Sequence, residues 1–279
     1  SLLRRALAPA AVAGGLGALG AAGWRFTKAV AGQTRWERAL GAAGWAGYAL
    51  GNALAFVFAV PQIYKTFLDG GAAKTPAWRA WTGVSASLLL GLVLGPLSGH
   101  AFWGVQNVYS GMTLLAPMIV GRLLERRGHP LDPKHAHLWT ALTAAALFVP
   151  GLGLYYGAAA VMPGLLHAAL GAQGVRQLAL AIQVATGAMF FLLFMPDIVS
   201  ILRRKAPQGF TPLFSLLFFA ASAGFIAWTL QMAQAAAPGS PERVQYLVYA
   251  AQNAAYAVVS FLSYWAARGL ARRPGGGHT

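Results

Sequence analysis

Phe56-Val57-Phe58-Ala59-Val60-Pro61-Gln62-Ile63-Tyr64-Lys65 and Phe191-Leu192-Leu193-Phe194-Met195-Pro196-Asp197-Ile198 follow one pattern. Each closes a long apolar run, and each sets a proline and then a polar side chain near its end. Two further features recur in the same order. Lys74-Thr75-Pro76 is matched by Phe210-Thr211-Pro212, and Gln106-Asn107 by Gln252-Asn253. The offsets are 135, 136 and 146, the last enlarged by a longer connection around Pro238-Gly239-Ser240-Pro241. Three matched features in fixed order mark an internal duplication.

The composition says what is duplicated. Of 279 residues, 57% are hydrophobic and 10% charged, against roughly 25% charged in a soluble domain. Disorder is excluded by that apolar content. A disulfide framework and a Cys-ligated metal are excluded because there is no cysteine. The net charge of +15 is scattered between long apolar runs rather than gathered on one face, so no nucleic-acid partner is expected. What remains is an all-α, polytopic membrane protein whose partner is the lipid bilayer. Seven helical spans are predicted at roughly 40–65, 79–98, 101–122, 138–161, 177–202, 211–235 and 244–267. Turn chemistry separates them, as at Asp69-Gly70-Gly71 and Pro130-Leu131-Asp132-Pro133.

Each repeat then holds three spans, with helix 138–161 between them. Three spans reverse the chain, so the linker helix restores direction and makes the two bundles parallel, a 3+1+3 layout. Repeats of this kind mark alternating-access transporters. The expected organisation is 1–38 as a targeting, interfacial or extra transmembrane segment; 39–123 as the first repeat; 124–170 as inner loop and linker; 171–268 as the second repeat; and 269–279 as a basic tail. Residues 1–38 hold six Lys or Arg and one acid, Glu37, a balance that suits a transit peptide.

Orientation follows from loop charge. Thirteen Lys and Arg, from Lys65 to Arg273 and with Arg79 among them, fall after spans 1, 3, 5 and 7, against Arg176 and Arg243 on the other side. The positive-inside rule places the C-terminus on the cytoplasmic or stromal side. The expected location is an integral multi-pass protein of a bacterial plasma membrane or of a plastid inner envelope.

Candidate functional residues come from the matched positions. Span 3 puts Trp103, Gln106, Asn107 and Ser110 on one face, and span 7 puts Tyr249, Gln252, Asn253 and Tyr256 on one face. An amide facing hydrocarbon is costly, so these faces point inward. Amides supply donors and acceptors and rings stack on flat apolar faces, which suits a neutral polyhydroxylated solute. The same residues also fit as interhelical glue. Trp228 in span 6 adds an aromatic wall without a matched partner. Pro61, Pro76, Pro196 and Pro212, with Gln62, form two symmetric pairs at one membrane face and suit hinges of an inner gate; Pro76 and Pro212 also fit as first-turn prolines. Asp197, the one carboxylate inside a span, is a candidate proton-coupling group or an ion-pair partner of Arg203 and Arg204. Gly47-xxx-Gly51, Gly91-xxx-Gly95 and Gly153-xxx-Gly157 are expected to pack helices within the chain. His135-x-His137 lacks a third ligand and reads as solvated, so no metal and no cofactor is expected. No P-loop, serine-nucleophile motif or carboxylate pair appears, so no enzyme activity is expected.

Pro61-Gln62, its match Pro196-Asp197, the basic loop after each and the 3+1+3 layout resemble the PQ-loop superfamily, which includes the SWEET sugar transporters and cystinosin-like amino-acid transporters. The resemblance covers roughly residues 40–268. It implies gate roles for Pro61, Pro76, Pro196 and Pro212 and substrate contacts at Asn107 and Asn253. Of the inner tryptophan pair only Trp228 is matched, and Asp197 stands where the second glutamine is usual. Trp36-Glu37, Pro61-Gln62-Ile63, Pro76-Ala77-Trp78 and the stretch from Val175-Arg176 to Met195-Pro196 are similar to the maltose exporter (maltose excess) family of plastid envelopes and its bacterial relatives. The implied function is facilitated transport of a small neutral sugar, maltose or glucose in class, by alternating access between the bundles. A proton-coupled amino-acid transporter and a non-transporting receptor are the alternatives, and homo-oligomerisation stays open.

Overall fold

A computed structural model describes residues 35–68, 77–127, 133–203 and 212–271. All regular structure among them is helical. The helices are α1 (Arg35–Val57), α2 (Val60–Leu68), α3 (Ala77–Leu89), α4 (Gly95–Ser98), α5 (Ala101–Arg127), α6 (Ala136–Leu202), α7 (Pro212–Ala235) and α8 (Pro241–Ala271). Four stretches are long and apolar enough to cross a membrane: Gly41–Leu68, Ala77–Ser98, Ala136–Ser200 and Pro212–Ala235. This is fewer than the seven spans expected. Helices α5 and α8 are long enough but fall outside the apolar set, because the amides and hydroxyls from Gln106 to Thr113 and from Gln245 to Tyr256 dilute them. The span from 136 to 200 counts once although it holds the length of two crossings.

Local chemistry explains the interruptions. Pro61 has no N–H to continue the ladder of α1. The Gln62 and Ile63 N–H groups both turn to the Ala59 carbonyl, at 3.1 and 3.2 Å, and a new helix starts at Val60. The expected single span at 40–65 is therefore two helices, and it begins earlier, at Arg35. Between α3 and α4 lies a π-turn, Leu90–Leu94, whose Gly95 N–H reaches back to the Leu90 carbonyl. Pro96 follows directly and cannot supply the bond a regular ladder would need. Gly99 closes α4 in the left-handed conformation at φ 69.

The expected gap between spans 4 and 5 is a single residue. Helix α6 runs from 136 to 202 and is broken only at Gly171 (φ 66, ψ 174). The contacts of its two ends show that they run in opposite directions. Tyr109 meets Ala144 and Phe148, and Gly104 meets Tyr155, so the first half is antiparallel to α5. Arg79 meets Asp197 and Gly83 meets Leu193, so the second half is antiparallel to α3. Helix α3 is itself antiparallel to α5, through Gly83 with Leu114 and Gly91 with Val108.

The chain divides into two compact units. The first takes the chain through Ala55 and Phe218–Ala257; the second takes Phe56–Leu217 and the chain from Val258. Each unit holds segments from both sequence repeats. In the first, α1 lies along α7 at backbone contact. A Cβ on Gly224 would stand 2.6 Å from the Gly47 carbonyl oxygen, one on Gly51 3.1 Å from the Ala221 carbonyl, and one on Gly44 2.5 Å from Gln231. In the second unit, Gly91 would meet the Val108 backbone at 2.7 Å and Gly95 the Gly104 Cα at 2.7 Å. Two of the three small-residue pairs therefore pack helices within the chain, as membrane interfaces do. The third does not: nothing lies within 4 Å of a Cβ at Gly153 or Gly157, because that face of α6 turns away from its neighbours.

Two clusters lie in the core of the second unit among the described residues. Ile63, Phe67, Ala116, Leu124 and Ala136 pack at one end, and Val105, Val108 and Tyr155 at the other. Outward faces stay apolar, with Val149 on α6 72% exposed, the reverse of what water selects and the arrangement lipid tolerates.

Candidate functional site

Two kinds of polar constellation stand out. The first is built on an asparagine that donates to the carbonyl of an aromatic residue one turn earlier. Asn253 Nδ2 donates to Tyr249 O at 2.8 Å, and Asn107 Nδ2 to Trp103 O at 2.9 Å. Asn52 Nδ2 makes the same bond to Tyr48 O at 2.7 Å. Only the NH2 end of an amide can donate to a carbonyl, so the bond fixes which way each side chain faces. The amide oxygen is then turned away from its own helix and presented as an acceptor.

In the second unit, Trp103, Gln106, Asn107 and Ser110 are all buried, as their shared helix face predicts. Gln106 Nε2 donates to Ser110 Oγ at 2.6 Å. In the first unit, Asn253 and Tyr256 are buried, and Tyr249 and Gln252 are half-buried. Trp228 is brought to them: its ring is 6.4 Å from that of Tyr249 and 6.4 Å from that of Tyr246. Tyr48 of α1 packs on the same indole at 4.8 Å. Tyr48 and Asn52 were not singled out from sequence. The signal was present in Asn52, an amide inside an apolar run, but it lies in no matched pair.

The second constellation is a buried ion pair. Arg79 Nη2 lies 2.8 Å from Asp197 Oδ2, Nη1 donates to Oδ1 at 3.4 Å, and Nε donates to the Leu193 carbonyl at 2.8 Å. Both side chains are 1% exposed. Arg79 is thus no loop residue of a basic membrane face, and among the described residues it is Arg79, rather than Arg203, that pairs with Asp197. The reason is local. One guanidinium pairs the carboxylate and donates to a helix carbonyl one turn before it, Leu193, so that its charge and N–H groups are satisfied away from water.

By the offsets 135 and 136, Asp197 corresponds to Gln62 and Arg79 to Ser215. Gln62 and Ser215 are both 3% exposed. Phe58 and Phe214, one turn and one residue before them, are in ring contact at 5.0 Å. The repeat thus carries a neutral polar pair of positions at one junction and a charged pair at its counterpart.

Of the gate prolines, Pro61 is the second residue of α2, next to the helix break, Pro196 lies within α6 and Pro212 is the first residue of α7. Pro76 lies outside the described residues, as do residues 1–34 of the expected N-terminal segment, Arg204 and the tail beyond 271. His137 is exposed but not isolated: Tyr64 stacks on it at 4.5 Å with its hydroxyl 3.2 Å from Nε2. No group of three metal-ligating side chains occurs among the described residues.

Neither a protein-family model, nor a curated protein, nor a solved structure matches this chain.

Proposed function

We propose that the chain is a membrane transporter that moves a small neutral sugar by facilitated alternating access. Its seven crossings are arranged 3+1+3. The reversal of α6 at Gly171 supports counting that helix as two crossings. Helices α5 and α8, at 27 and 31 residues, have the length for one each. The observation that carries the function is the paired asparagine bond. Asn107 and Asn253, at matched places in the two repeats, are each locked to an aromatic carbonyl one turn back, so each presents an oriented acceptor beside an aromatic ring. Trp103 and Gln106 accompany the first, and Tyr249, Gln252 and Trp228 the second. The proline breaks, Pro61 among them, serve as hinges. The Arg79–Asp197 pair serves as a strut near one end of its helices, a use that fits its three hydrogen bonds better than reversible protonation does.

The test is counterflow of labelled maltose and glucose in proteoliposomes. Wild type is expected to exchange sugar, and Asn107→Ala/Asn253→Ala to lose at least tenfold. Absence of exchange in folded wild type would defeat the proposal.

A further inference from the structure

Resting on that reading, we propose that Asn52 is a further solute-binding residue, whose amide oxygen accepts a hydrogen bond from a sugar hydroxyl in an aromatic half-site formed with Tyr48, Trp228 and Asn253. Asn52 has no exposed surface. Its NH2 is committed to Tyr48 O at 2.7 Å, while Oδ1 has no partner among the described residues. A buried acceptor left without a donor costs about 1–3 kcal/mol. Native chains rarely keep one unless something fills it. An amide used only as helix glue would spend its oxygen on a neighbouring helix; this one does not.

The surroundings specify the chemistry of what fills it. All the groups lie within the first unit. Helix α7 is antiparallel to both α1 and α8, so register can be read across it. Gly51, next to Asn52, lies against Ala221. Phe218 is in ring contact with Tyr256, so Asn253, three residues before Tyr256, is also level with Ala221. Asn52 and Asn253 therefore stand at one depth, on two helices that run the same way. Each is four residues, or about 6 Å of helix rise, past a tyrosine whose ring contacts Trp228. A second partnerless buried acceptor, Gln231 Oε1, is one turn beyond Trp228 on α7. Two oriented acceptors at one depth beside the rings that pack on an indole suit a ligand with hydroxyl donors and a flat C–H face. A carboxylate is a poor fit, since it would bring acceptor to acceptor.

The test uses the full chain in lipid nanodiscs and proteoliposomes, with glucose, maltose and the monodeoxyglucoses as probes. Asn52→Leu matches the side-chain volume without the amide, and Asn52→Ser retains a hydroxyl able to bond back to Tyr48 O. The expected results are an apo melting temperature for Asn52→Leu no lower than wild type, and half-saturation for glucose counterflow raised roughly ten- to a hundredfold. Asn52→Ser should fall between. One deoxy position should weaken wild type about tenfold and Asn52→Leu hardly at all, because the lost hydroxyl and the lost acceptor are the same bond. Unchanged half-saturation in Asn52→Leu, or deoxy penalties identical in both proteins, overturns the role of Asn52 and leaves the transporter standing. A lowered melting temperature in both variants with unchanged deoxy penalties identifies a packing residue and also overturns it. Wild type that neither exchanges nor is stabilised by any of these sugars overturns the transporter reading and the Asn52 role together.

Discussion

The sharpest prediction concerns the buried pair. In Arg79→Leu, a carboxylate that is 1% exposed loses both guanidinium contacts, and the Leu193 carbonyl loses its donor. Stranding one member of a buried ion pair costs about 3–5 kcal/mol. For a chain of this size each kcal/mol moves the melting temperature by roughly 2–4 °C, so Arg79→Leu should melt on the order of 10 °C below wild type. Adding Asp197→Leu removes the stranded charge. Apolar replacement of a whole buried pair is often neutral or stabilising. What remains is one carbonyl without its side-chain donor, about 1–3 kcal/mol. The double variant should therefore recover at least half of the lost temperature, a recovery of roughly 2 kcal/mol relative to Arg79→Leu. The assay is thermal unfolding of wild type, both single variants and the double variant, followed by tryptophan fluorescence in one lipid composition. A double variant that melts no higher than Arg79→Leu would refute the reasoning, since the two side chains would then be acting independently.

Three further outcomes follow from packing. Gly47→Val drives a side chain into the Gly224 carbonyl and to within 2.9 Å of Ala227 Cβ; it should cost about 1–3 kcal/mol, whereas Gly153→Val, which meets nothing within 4 Å, should melt within 1–2 °C of wild type, roughly the scale of a neutral surface change. Gly104→Ala collides with the Tyr155 ring, and Tyr155→Leu in the same chain should restore part of the loss; equal melting of the single and double variants would show that the ring simply moves aside. Pro61→Ala returns an N–H that can join α1 to α2, and is expected to hold or raise stability while slowing sugar counterflow several-fold; undiminished flux would remove Pro61 from the hinge.

The sequence makes the duplication and its polar positions visible, because proline, amide and acid stand out against an apolar background. The buried face of Trp103, Gln106, Asn107 and Ser110 follows from helical spacing alone. Arg79 was misplaced for an instructive reason. Loop charge is counted by position along the chain, and an arginine one turn inside a helix start scores like its neighbours. Asn52 escaped because the duplication drew attention to matched residues, whereas its Oδ1 is notable for what surrounds it in space. The break between the spans at 138–161 and 177–202 was legible from the glycines and polar residues between them; what the sequence does not show is that one glycine, Gly171 with φ 66, makes it while helix continues on both sides.

The glycine seam between α1 and α7 has a consequence for biosynthesis. Gly47 and Gly224, whose backbones touch, are 177 positions apart in the chain. At about 5–20 residues per second, the ribosome needs on the order of 10–35 s to deliver α7 after α1 has emerged. Throughout that interval the small-residue face of α1, with the amide of Asn52 on its flank, lacks the surface that completes it. Helix α1, made early, is fully packed late, so the nascent chain depends on the insertion machinery, or on transient neighbours, to hold α1 in place until its partner arrives.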